Sequence, residues 1–275
     1  MLPNLLATRK GRLTAFFALY VTEGIPLGFA ATAIAFHLRQ LGVGPAEIGA
    51  FVGSFYLPWA FKWAFGPLVD VFRSKRFGHR RAWIIGCQLV MAATLAVLVL
   101  VDLPGQLWLF TAILLVHNTF AAMQDVAIDA LACNSLTEEE RGLGNGLMFA
   151  GAAIGQAIGG GGVLFLSAYT GFSITFFFVA LAILAVTCLV VLPMKEAAVE
   201  AVVQAGHEAE SALRKAGREM REFAVESFRA FLATRGAFAG VAFNLLPAGA
   251  MALGLATRSS LSAEFGLSNS DAAQL

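Results

Sequence analysis

Gly66-Pro67-Leu68-Val69-Asp70-Val71-Phe72-Arg73-Ser74-Lys75-Arg76-Phe77-Gly78-His79-Arg80-Arg81 is a short basic stretch between two long apolar runs, about Ile48–Val69 and about Ala82–Val101. Each run is long enough, at about 1.5 Å per helical residue, to cross a hydrocarbon core of about 30 Å. Lys and Arg concentrate on the cytoplasmic side of multi-pass proteins, so a basic loop joining two such runs reads as a cytoplasmic turn between membrane helices. Further apolar runs lie outward of it, at about Leu13–Leu38, Leu107–Leu131, Gly142–Leu166, Phe172–Leu192 and Ala237–Ala256. Of the 275 residues, 58% are hydrophobic and 13% charged, and the mean hydropathy is +0.74. That is too few charges for a water-covered surface. The fold class is therefore all-α, a polytopic transmembrane helical bundle.

The basic residues also give an orientation. With the N-terminus cytoplasmic, the inside segments hold Arg9, Lys10, Arg12, the five cations of the quoted loop, Arg141, Lys195 and the basic residues from Arg214 to Arg235. The outside loops hold Arg39 and Arg258, and Lys62 lies inside a span. The first apolar run has no small-residue cleavage site after it and reads as a retained span. Cys87, Cys133 and Cys188 lie in or beside apolar runs with no paired spacing, which indicates buried small hydrophobes and neither a metal site nor a disulfide framework. The net charge of +1 says nothing about nucleic acid, but no basic stripe interleaved with aromatics lies outside the loops, which argues against it.

Between the sixth and seventh spans, apolar residues from Val199 to Phe228 recur near helical period opposite a charged face. This predicts an amphipathic helix, lying on the cytoplasmic membrane surface or packed on the loops. A short internal repeat adds to the picture. Glu23-Gly-Ile-Pro26-Leu-Gly28 in span one matches Asn244-Leu-Leu-Pro247-Ala-Gly249 in span seven, and the segments after each span also correspond. Two halves in the same orientation are a hallmark of parallel-repeat transporters. The expected organisation is a six-helix half over 1–193, a cytoplasmic linker over 194–235 and the start of a second half over 236–275. On this reading an eighth span begins near Ser270, and further spans lie beyond Leu275.

Gly66, Asp70, Arg73, Gly78, Arg80 and Arg81 together resemble the signature between the second and third helices of the major facilitator superfamily. Physically, Asp70 sits at the C-terminal end of span two, where the helix dipole disfavours an anion, so it needs Arg80 or Arg81. The resemblance implies that this loop is a cytoplasmic conformational latch. Thr22-Glu-Gly-Ile-Pro-Leu-Gly28, Leu57-Pro-Trp-Ala-Phe-Lys62 and Gln124-Asp-Val-Ala-Ile-Asp129 resemble a narrower branch, the AmpG-type anhydromuropeptide permeases and acetyl-CoA transporters. That resemblance implies an inner-membrane transporter of a muropeptide-like solute, or of acetyl-CoA or another anionic metabolite. A non-transporting assembly factor on the same fold is the reading from a different class.

Charges inside spans cost several kcal/mol, so they are functional candidates by default. Glu23 lies near the middle of span one and is a candidate for proton coupling or solute binding, or else a neutral hydrogen-bonded acid between helices. Pro26 gives the span a hinge. Lys62 lies about 12 Å from the cytoplasmic end of span two, a depth similar to that of Asp125. The two can pair across helices, or Lys62 can face an anionic solute. Asp129 shares a helix face with Asp125 and is shallow enough to meet Arg80 or Arg81, which places it with the latch. His117 reads as an interhelical hydrogen-bond partner, while Asn118 and Gln124 read as cavity-lining donors. The glycines of span five, with Gly151/Gly155 and Gly155/Gly159 at G-x-x-x-G spacing, predict close helix approach. No zinc-protease, serine-hydrolase or P-loop pattern occurs. The expectation is a monomeric secondary transporter driven by protons, working by alternating access without a cofactor.

Overall fold

Thr8 opens the first helix by accepting a hydrogen bond from the Gly11 backbone N–H at 3.1 Å, an N-cap that satisfies one of the free amides of the first turn. In the computed structural model, which describes residues 4–71, 78–196, 217, 218, 221, 222, 225, 226, 229 and 264–272, α1 then runs over Arg9–Gln40. Pro26 lies inside it. Without an N–H, and with its ring against the preceding turn, Pro26 loosens the ladder, and the backbone widens into π-helical turns over Phe29–Ile34. Span seven, most of the amphipathic stretch, and Arg73, Lys75 and Arg76 fall outside the described residues.

Span two is a correction to the sequence reading. It is an interrupted helix, made of α2 (Pro45–Phe55), α3 (Leu57–Ala60) and α4 (Lys62–Val71). The breaks fall at Tyr56 and at Phe61, on either side of Pro58, which cannot donate to the turn before it. The remaining spans are continuous: α5 (His79–Leu98), α6 (Leu107–Ser135), α7 (Glu138–Thr170) and α8 (Phe172–Val191). Helix α7 starts after a capping contact in which the Thr137 N–H donates to Glu140 Oε2 at 3.1 Å. It turns π-helical over Ile158–Gly162. A short α9 (Asn269–Ala272) closes the described chain. Among the described residues, α1, α5, α6, α7 and α8 are each long and apolar enough to cross a membrane.

The closest helix pair is α1 with α7. A Cβ on Gly151, Gly155 or Gly159 would run into the carbonyls of Phe17, Val21 or Ile25, and one on Gly24 or Gly28 would run into those of Ala152 or Gln156. Glycines on both helices thus let the two backbones touch. Gly142 and Gly146 have the same spacing, but a Cβ there meets nothing within 4 Å.

The core is split into two layers. One apolar cluster contains Ile25–Leu38 residues of α1, Met91, Leu95 and Leu98 of α5, Phe110 and Leu114 of α6, and Phe176–Ile183 residues of α8. The other contains Phe16, Leu19 and Tyr20 of α1, Ile84 of α5, Ala127–Ala132 residues of α6 with Leu136 just after it, and Val191 of α8. Between them, along each helix, come buried polar residues: Thr22 on α1, Gln88 on α5, Gln124 and Asp125 on α6, and Thr187 on α8. A polar belt therefore crosses the bundle between two greasy layers.

Candidate functional site

The belt holds a cluster of charged side chains. Tyr20 and Glu23 come from α1, about one turn apart and hence on one face. Lys62 is the first residue of α4, placed there by the break at Phe61. The N-terminus of a helix is already positive, so a lysine there is a concentrated cationic spot that demands carboxylates nearby. Asp125 and Asp129, one turn apart on α6, supply them.

Lys62 Nζ pairs with Asp125 Oδ2 and lies 3.1 Å from Asp129 Oδ2. The Tyr20 hydroxyl donates to Asp129 Oδ1 at 2.5 Å. Lys62 also sits 5.7 Å from the Trp59 ring centroid, within cation–π range. Because Tyr20 meets Asp129, Glu23 one turn on along α1 and Asp125 one turn back along α6 come to the same level of these oppositely running helices. The cluster is graded in depth. The Asp129 side chain is 43% exposed, Lys62 33% and Asp125 3%. Buried oxygens Glu23 Oε2 and Asp125 Oδ1 have no donor among the described residues.

The reading of Asp129 as a partner of Arg80 or Arg81 is corrected by this geometry. Its two oxygens are engaged by Tyr20 and Lys62, because the break in span two delivers a lysine to its helix face. Asn118 is also not a free cavity donor. Its amide N–H donates to the Phe55 carbonyl that the break releases, and its Oδ1 accepts from Trp59 Nε1 at 3.2 Å. It staples the interruption to α6. His117 Nδ1 lies 3.0 Å from Thr94 Oγ1 and 3.1 Å from the Met91 carbonyl, which makes it an interhelical partner to α5. Gln124 is fully buried, with neither amide atom paired among the described residues.

At one end of the bundle the residues read from the sequence as a latch come together. Asp70 pairs with Arg80. Gly66 lies one turn earlier in α4. Gly78 takes φ +89 at the start of α5, a conformation that favours glycine. Glu196, after α8, accepts from the backbone N–H groups of His79 at 3.1 Å and Arg80 at 3.2 Å and also from that of Arg81. A carboxylate thus caps the positive end of α5. The Arg81 guanidinium donates to the Met194 carbonyl. At the same end, Arg12 forks onto Glu140 at 3.0 and 2.6 Å.

Sequence reasoning missed Tyr20, Trp59 and Glu196. Only Tyr20 left a signal, its place one turn before a carboxylate in an apolar helix.

A profile of the Major Facilitator Superfamily matches residues 13–274. The chain is 30% identical over 194 residues to a protein of Rickettsia felis named putative transporter AmpG 4; the alignment covers 67% of this chain and 45% of that one. It is 28% identical over 185 residues to the Rickettsia conorii protein of the same name, covering 66% of this chain and 44% of the relative. Against the anhydromuropeptide permease of Escherichia coli K12 it is 27% identical over 161 residues, covering 58% and 32%. The aligned part is thus less than half the length of these relatives.

Proposed function

The chain belongs to the Major Facilitator Superfamily, and on that premise we propose that it serves proton-driven secondary transport. The observation that carries the reading is the cluster of Tyr20, Glu23, Lys62, Asp125 and Asp129, which runs from the belt into the edge of the second apolar layer. Three carboxyls in the middle of a membrane bundle are too costly to keep for packing alone. Acids that hold or release a proton while the partly exposed Lys62 and Asp129 meet a solute can couple the two. The Asp70–Arg80 pair and the Glu196 cap form the cytoplasmic latch, and alternating access moves the two halves about the belt. The six-helix half over 1–193, the linker over 194–235 and the start of the second half over 236–275 keep their proposed roles.

The solute is muropeptide-like. The names of the Rickettsia and Escherichia relatives support this, and so does the charge of the site. Three carboxyls against one lysine attract a solute with hydroxyl, amide and ammonium groups and repel a polyanion such as acetyl-CoA. The protein acts as a monomer in the inner membrane with its N-terminus in the cytoplasm, and it is not an enzyme. The test is uptake of labelled anhydromuropeptide into vesicles carrying the full-length protein, with and without a pH gradient. Uptake that follows the gradient is expected. Folded protein that takes up none, but takes up acetyl-CoA or copurifies with a stoichiometric protein partner, overturns the reading.

A further inference from the structure

We infer that Glu23 and Asp125 share one proton, which joins α1 to α6 through an acid–carboxylate hydrogen bond. The inference deepens the proton-coupled reading of this site by naming what holds the proton and how many there are.

The argument is an inventory of donors. Lys62 offers its ammonium protons to Asp125 Oδ2 and Asp129 Oδ2, and Tyr20 offers its hydroxyl to Asp129 Oδ1. Asp129 is thus satisfied on both oxygens as a carboxylate, and it is the exposed member. What remains is Asp125 Oδ1 and Glu23 Oε2, both buried and both without a donor among the described residues. The register set by the Tyr20–Asp129 bond brings these two carboxyl groups to one level of the α1–α6 seam. Ionised carboxylates have only acceptor atoms, so two of them in contact can neither hydrogen-bond nor escape mutual repulsion. One proton changes the contact into a donor–acceptor pair, the arrangement that like-charged acids adopt when they are forced together in a low-dielectric site. The charged and titratable groups facing the pair are Tyr20 from α1, Lys62 from α4 and Asp129 from α6. None of them is placed to donate to the two orphaned oxygens.

The consequence is mechanical. While the proton is in place, α1 and α6 are tied across the belt and Lys62 is free to serve both aspartates. When it leaves, Glu23 and Asp125 face each other as two anions, and the cation is drawn inward, away from the exposed Asp129. Solute binding at Asp129 and proton loss at the Glu23–Asp125 pair then compete for the same lysine.

The test is infrared difference spectroscopy on the purified, reconstituted full-length protein, with the pH stepped upward and no solute present. A protonated-carboxyl carbonyl band that disappears as the pH rises, with release of one proton, is expected. Glu23→Gln and Asp125→Asn should each remove that same band, since an amide then supplies the donor and no proton is needed. A band that survives in either variant, two bands removed one by one, or no band in the wild type overturns the inference. Retained thermal unfolding temperature shows that a variant is folded; if one variant does not fold, the other decides alone. The band is read without solute. Its presence together with gradient-independent uptake would sink the transport reading and leave the shared proton standing.

Discussion

At the residue scale, the cluster separates groups that carry charge from groups that only hold structure. Glu23→Gln removes the ionisable group while keeping the size and polarity of the side chain, so it should leave the fold intact and abolish gradient-driven accumulation. Counterflow exchange of solute, which needs no net proton movement, should survive; its loss would make Glu23 a solute ligand. Asn118 belongs to the second kind. It is 1% exposed, and Asn118→Leu strands the Phe55 carbonyl and the Trp59 indole in an apolar setting. A loss of about 1–3 kcal/mol is expected for each buried group left unpaired. The check is the unfolding temperature in detergent, which should fall well before any effect on solute affinity is seen. Glu23, Lys62 and Asp125 were legible in the sequence because a charge in an apolar run is an anomaly by itself. Asn118 was misread because nothing in a linear sequence says that the neighbouring helix is broken opposite it. Asp129 was misplaced for the same reason: without the break, Lys62 would not start a helix at its level.

At the scale of elements, the α1–α7 pair shows what spacing can and cannot say. The G-x-x-x-G pattern predicted close approach somewhere along span five, and the contacts lie at Gly151, Gly155 and Gly159, against Gly24 and Gly28. Gly142 and Gly146 obey the same rule and face open space, because the periodicity marks a helix face and not its partner. Two substitutions separate the cases. Gly155→Leu forces the backbones apart and should cost at least about 1–3 kcal/mol, with a visible fall in folded yield. Gly146→Leu should change stability by less than about 0.5 kcal/mol, as an exposed substitution does. Equal effects from the two would mean that the glycine face is not an interface. The π-helical turns of α1 and α7, Phe29–Ile34 and Ile158–Gly162, start right after Gly28 and take in Gly159, and they lie against each other. Only Pro26 hinted at them, since a missing N–H loosens a helix without saying into which form it relaxes.

At the scale of the whole molecule, the two ends of the bundle differ in kind. One end carries Arg9, Lys10, Arg12, Arg80, Arg81, Arg141 and Lys195 and is bound by carboxylate contacts at Asp70, Glu140 and Glu196. The other is sparsely charged, and there the segment 264–272 is tied to the bundle. Arg39 meets Glu264 at 3.0 Å. Asn269 accepts from Gln40 at 2.9 Å and donates to Ser167 at 2.8 Å, so it links α1 to α7. The asymmetry of cations was readable directly from the sequence. The tie across the sparse end was not, since it joins residues far apart in the chain through single polar contacts. On the proposed orientation the cation-rich end lies in the cytoplasm, and the Glu196 cap is then an inner tie and the Asn269 bridge an outer one. Cysteine labelling tests this in one experiment. With Cys87, Cys133 and Cys188 replaced by alanine or serine, a cysteine at Gly105 should react with a membrane-impermeant maleimide on intact cells with a permeabilised outer membrane. A cysteine at Thr137 should react only after the inner membrane is opened. The reverse pattern would invert the orientation, and the latch formed by Asp70, Arg80 and Glu196 would then face the substrate-rich side.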